Sequence, residues 1–153
     1  MKRIIVILFS AIAVLAFSFT GVMAMSTHTD SLSYDAGTGP SRYGYSSQNY
    51  KGESANQYST KLTGVGFIGL PAGTFPNSST NIYFTPVDTS YSGIAPRNYH
   101  NSTHLAYGTI KHDTYYEGYR GSGFNVILRV HSNNTSMGNT VGVKWNLGYV
   151  NYM

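Results

Sequence analysis

GFNVILRVHSNNTSMGNTVGVKWNLGY, residues 123–149, decides the fold class. Phe124, Val126, Leu128 and Val130 alternate with Asn125, Arg129 and His131, and only Ile127 interrupts the polar face. Further on, Val141, Val143, Trp145, Leu147 and Tyr149 alternate with Thr140, Gly142, Lys144, Asn146 and Gly148. A repeat of two puts every second side chain on the same side of an extended chain, so each run has one face for a core and one for solvent. The polar loop SNNTSMGN between them, with Gly138, predicts a hairpin whose inner faces supply much of the core. Trp145 is in phase with Val141, Val143 and Leu147 and belongs to that core.

Upstream, Tyr58 to Ile68 reads as a strand in which Tyr58, Thr60 and Leu62 point inward and Val65 and Phe67 take over after Gly64. A change of parity at a glycine is the sequence mark of a β-bulge. Asn81 to Val87 is a second strand, with Pro86 at an edge position or at its end, because proline cannot donate to a ladder. Residues 88–103 are rich in turn formers. His104 to His112 and Thr114 to Tyr119 then read as two short strands, with Asp113 near the turn. Residues 25–56 hold few aliphatics and many glycines, and predict an irregular arm with at most one or two short edge strands, anchored by Tyr34, Tyr43, Tyr45 and Tyr50.

All 14 tyrosines lie after residue 33, among many Ser, Thr, Gly and Asn and few of the strong helix formers. Five or six strands joined by turn residues predict an all-β domain over residues 57–153, a small antiparallel β-sandwich or Greek-key barrel.

At the other end, Lys2 and Arg3 precede an apolar run from Ile4 to Phe19, and Val22 and Ala24 place small residues before Met25. This order predicts a signal peptide over residues 1–24, a secreted protein, and membrane contact only through that segment before cleavage. Two of the ten Lys and Arg residues precede residue 25, so residues 25–153 carry eight against six acids, a formal charge of +2. Those eight are scattered singly, which argues against nucleic acid as a partner. The chain has no cysteine. Without disulfides, a thiol nucleophile or thiolate metal sites, the domain must be held by its core alone.

The segment YYEGYRGSGFNVILRVHSNNTSMGNTVGVKW resembles the end of the small secreted YolA-like bacterial proteins, through Tyr115, Tyr116, Tyr119, Asn133, Asn134 and Trp145. Arg42-Tyr43 and the stretch from Asn56 to Leu62 are similar to earlier segments of that family. The family's acidic residues after the tryptophan are replaced here by Asn146-Leu147-Gly148. The resemblance implies a bacterial source, secretion and a β-fold, and no established activity. Residues 98–104, NYHNSTH, are similar to a stretch in the much shorter lactococcin-like bacteriocins.

The chemistry-bearing motifs are few. Gly64-Val65-Gly66-Phe67-Ile68-Gly69 spells a dinucleotide fingerprint, but Leu70-Pro71 follows where a helix must start, so it reads as a bulged strand and implies no cofactor. His100, His104 and His112 are the candidate metal ligands, although no Glu follows His100 as a zinc-protease helix requires. No G-x-S-x-G nucleophile elbow occurs. Asp113 and Glu117 are the closest pair of acids, placed at a turn. No catalytic residue is assigned, and the expectation is a non-enzymatic protein. Tyrosine remains as the functional signal, since its ring and hydroxyl suit sugar stacking and protein interfaces at low entropy cost. Tyr43 and Tyr45, together with Tyr115, Tyr116 and Tyr119, are the candidate ligand-binding residues, for an extracellular polymer, glycan or protein. A secreted antagonist of the bacteriocin kind and an extracellular hydrolase are the alternatives.

Overall fold

The two alternating runs both become strands, and they part company. The structure, a computed structural model, describes residues 25–153, and the expected signal peptide over residues 1–24 lies outside them. β8 (Phe124–Ser132) and β9 (Asn139–Asn146) belong to different sheets, so the expected hairpin is a crossover instead. Their apolar faces meet across one core, where Val126, Leu128 and Val130 join Val141, Val143 and Trp145. Facing each other across two layers buries both apolar rows as completely as pairing in one layer would.

One sheet runs β1 (Thr27–Tyr34), β9, β4 (Gln57–Phe67), β7 (Ile110–Thr114). The other runs β2 (Gly44–Tyr45), β8, β5 (Ile82–Val87), β6 (Asn98–His100), and β3 (Asn49–Lys51) also pairs with β8. Every pairing is antiparallel. The protein is an all-β sandwich, with β9 and β4 central in one layer and β8 and β5 central in the other. Among the described residues no helix is long and apolar enough to cross a membrane.

The bulge falls where the sequence placed it. The register of β4 against β9 shifts between Leu62 and Gly64, leaving Thr63 as the extra residue, and the buried parity moves from Tyr58, Thr60 and Leu62 to Val65 and Phe67. Pro86 lies beyond the last β5–β6 pair, Phe84↔Asn98, so the ladder bond it cannot make is not called for there.

Residues 25–56 are not an irregular arm. All eight residues of β1 pair with β9, from Thr27↔Asn146 to Tyr34↔Asn139, while β2 and β3 line the edge of β8. The domain therefore begins well before residue 57. The inward face of β1 reads His28, Asp30, Leu32, Tyr34, and its two polar members hide the alternation.

The middle of the chain differs as well. Ser102–Tyr107 is a helix, α1, begun by Asn101, whose Oδ1 accepts the N–H groups of Thr103 (3.1 Å) and His104 (3.4 Å). Gly108 then turns with φ +58° into β7, so Asp113 stands inside a strand. Beyond Thr114 the chain leaves the sheet and passes through a 3-10 turn at Glu117–Tyr119 rather than a second strand.

Gly44 of β2 sits close against Ser33 of β1, in the other layer. A Cβ there would meet Ser33 O at 2.5 Å and Val130 Cγ1 at 2.9 Å. Gly44→Ala is expected to destabilise the fold by about 1–3 kcal/mol, read as a lower urea midpoint at unchanged slope.

Candidate functional site

The outward residues of the five-stranded sheet are brought together by register. Tyr83 lies opposite His131, Thr85 opposite Arg129 and Val87 opposite Ile127. β2 sets Tyr45 against Arg129, and β6 sets Tyr99 against Tyr83. Strand alternation puts all of these on one face. Their rings form a row: Tyr91 meets Tyr45 at 4.8 Å, Tyr45 meets Tyr43 at 6.4 Å, and Tyr43 meets the edge of His131 at 5.3 Å. His131 stacks on Tyr83 at 5.1 Å and 23°, and Tyr83 meets Tyr99 at 6.5 Å.

Tyr45, Tyr91 and Tyr99 leave large parts of their rings in water. Tyr91 is held against Tyr45 by a left-handed backbone, φ +61°. That conformation costs a residue with a Cβ about 1–2 kcal/mol, offset locally by Asp88, whose Oδ1 accepts the N–H groups of Ser90 and Ser92 at 2.9 Å.

Arginines stand against these rings. The guanidinium carbons of Arg42 and Arg129 lie 5.1 and 5.0 Å from the centre of the Tyr43 ring, and that of Arg97 lies 4.5 Å from the centre of Tyr83. With Thr85, Tyr116 and His131, the three arginines line a cleft of about 490 Å³ whose walls include no acidic residue. Burial pushes His131 down to about 4, and the charges of Arg42, Arg129 and Arg97 push in the same direction. The imidazole is therefore neutral at pH 7 and sits in a strongly positive field.

The tyrosines singled out from the sequence divide. Tyr43, Tyr45 and Tyr116 reach this face or its cleft. Tyr115 does not, and its candidacy as a ligand-binding residue is corrected: it is buried in the core, donates its O–H to Leu147 O at 3.1 Å and lies 5.0 Å from the Lys51 ammonium. Alternation explains the split, since neighbours on extended backbone point to opposite sides and only Tyr116 faces out. Tyr119 is half-buried against Phe124, with its hydroxyl on Asp88 Oδ2 at 3.5 Å.

The candidate histidines also separate. His100 is buried with Nε2 on Thr60 Oγ1 at 2.9 Å, and its ring is 5.6 Å from His104. His112 shares a 2.9 Å hydrogen bond with Ser59 Oγ. Ser59 and Thr60 are consecutive in β4, so His100 and His112 are held on opposite faces of that sheet. Among the described residues no three His, Asp or Glu side chains converge as metal ligands. Gly64 and Gly66 lie within bulged β4, and Gly69 turns the chain beyond it with φ +88°.

Sequence reasoning missed Thr85, Arg97, Arg129, His131, Tyr83, Tyr91 and Tyr99. Arg129 and His131 had a signal, as consecutive members of the polar face of one strand. Arg42 and Arg97 are isolated charges that only the sheet order brings together. No family model, curated protein or solved structure matches the chain.

Proposed function

We propose that the protein is a secreted, non-enzymatic β-sandwich that binds an extracellular polymer, glycan or protein through the outer face of its five-stranded sheet. The row of rings from Tyr91 to Tyr99, four of them on paired strands and Tyr43 and Tyr91 on the adjoining loops, is the observation that carries this reading. Paired strands hold Tyr45, His131, Tyr83 and Tyr99 in place before a ligand arrives, and ring contacts hold Tyr43 and Tyr91 beside them, so little side-chain entropy remains to be lost on binding. Arginine beside tyrosine is also the pairing that dominates binding energy at many recognition surfaces.

The test is retention on insoluble cell wall, polysaccharides and whole cells of related bacteria, with survival of those cells measured in parallel. Replacing Tyr45, Tyr91 and Tyr99 together by Ala is expected to lower retention at least tenfold, the effect of losing about 1.4 kcal/mol, with an unchanged circular dichroism spectrum. Equal retention would remove this face from consideration. Killing of cells by the wild-type protein would instead favour the antagonist reading.

A further inference from the structure

Three residues that line the arginine-rich cleft each hold a buried polar atom with no partner: Thr85 its Oγ1, Arg129 its Nε and His131 its Nδ1. Thr85 and His131 are only 5% and 6% exposed. Thr85 and Arg129 lie directly across the β5–β8 ladder, and His131 is the next outward residue on β8. A buried donor or acceptor without a partner costs about 1–3 kcal/mol, and native proteins retain few of them. Unpartnered atoms on three residues of one cleft, one of them on the Arg129 guanidinium, with the guanidiniums of Arg42 and Arg97 on the same walls and no acid, describe a site whose complement is an anion carrying several oxygens.

We infer that this cleft takes the phosphoryl group of a phosphorylated glycan, a proposal that rests on the binding reading above and names its ligand class. A phosphomonoester brings three acceptor oxygens and close to two negative charges. Planar guanidinium forks match such oxygens two at a time. A carboxylate would bring two oxygens and one charge, leaving most of the positive field uncompensated. The cleft, at about 490 Å³, has room beyond the phosphate for the sugar that bears it, and Tyr43 and Tyr116 are the rings on its wall. Tyr45 and Tyr91 continue the stacking surface outward for a longer chain.

The experiment titrates the purified protein with a hexose 6-phosphate, the unphosphorylated hexose, the corresponding hexuronate and inorganic phosphate, by calorimetry and by NMR of the histidine rings. Saturable binding of the hexose phosphate is expected, at least tenfold tighter than the hexose or the hexuronate. Arg42→Gln and Arg97→Gln should each weaken it at least tenfold, and Lys144→Gln, an equal loss of charge on the other sheet, should not. Arg97→Lys keeps the charge without the fork and should fall between. The His131 resonances should shift on binding, and its pKa should rise from about 4 as negative charge joins Arg42, Arg97 and Arg129 around it, with Tyr43 and Tyr83 as its ring neighbours.

Equal binding of hexose and hexose phosphate would overturn the proposal, as would equal losses in Arg97→Gln and Lys144→Gln or a His131 signal that does not move. Tighter binding of the hexuronate would make this a carboxylate site instead. Retention on a phosphate-bearing wall polymer before and after phosphatase treatment separates polymer from free sugar phosphate. Tyrosine-dependent retention of neutral polysaccharide without phosphate binding would overturn the anion site alone. Phosphate binding with retention indifferent to the tyrosines would overturn the binding-face reading alone.

Discussion

Lowering the pH from about 7 to about 4 is expected to remove on the order of 5 kcal/mol of folding stability, comparable to the whole stability of many domains. The cause is two buried histidines. Burial, then the charges of His104 and Lys111, push His100 down to about 3, and burial with the three arginines pushes His131 down to about 4. In the unfolded chain both titrate near the ordinary value of 6.5. Above that pH both states hold the rings neutral and the two histidines add no slope. Below it the unfolded chain takes up protons that the folded chain refuses, and stability drops by about 1.4 kcal/mol per pH unit for each histidine until the folded value is reached. His28, His104 and His112 are lowered by burial too and act in the same direction. Urea unfolding from pH 7.5 to 4 should show the loss in the wild type and a shallower slope in His131→Gln and in His100→Gln. Slopes identical in all three would place the acid sensitivity in the carboxylates.

Trp145→Ala should cost about 3–5 kcal/mol, the largest loss expected from any single substitution in this core. The indole is fully buried, with the His28 ring 5.0 Å away, and its Nε1–H donates to Asp30 Oδ2 at 2.6 Å. Removing it leaves a cavity in the centre of the four-stranded sheet and a carboxylate without its donor. Trp145→Phe keeps most of the volume and isolates the hydrogen bond, for an expected loss of about 1–3 kcal/mol. Equal losses in the two variants would mean that packing around the indole contributes little beyond the bond to Asp30. Chemical unfolding of both variants beside the wild type decides this.

Those two residues also mark the limit of what could be read in advance. Trp145 announced itself by standing in phase with valines, and the Gly64 bulge by a change of parity. β1 could not announce itself, because Asp30 occupies an inward position in order to receive the indole N–H. The pairing of β8 was equally hidden. Alternation reports which side chains point inward, and it is silent on whether the next strand lies beside a run or across from it. For the same reason the cleft was illegible: Arg42, Arg97 and Arg129 are separated by dozens of residues and share a face only because β2, β8, β5 and β6 are neighbours. Tyr115 and Tyr116 were a legible pair misread as a cluster, since two adjacent residues on extended backbone cannot both face out.

The crossover between β8 and β9 bears on the timing of folding. β9 sits between β1 and β4, and β8 between β2 and β5, so the last two strands made are the centres of the two layers. Thr27 waits for Asn146, and Gly44 waits for Val130. A chain still being synthesised holds β1 and β2 with no neighbour to accept their hydrogen bonds and β4 with only β7 beside it, and closure over such spans belongs to the millisecond-to-second regime of β-rich topologies. Until β8 and β9 emerge only the β4–β7 and β5–β6 pairs can form, so each layer lacks its middle and the core between them has nothing to close on.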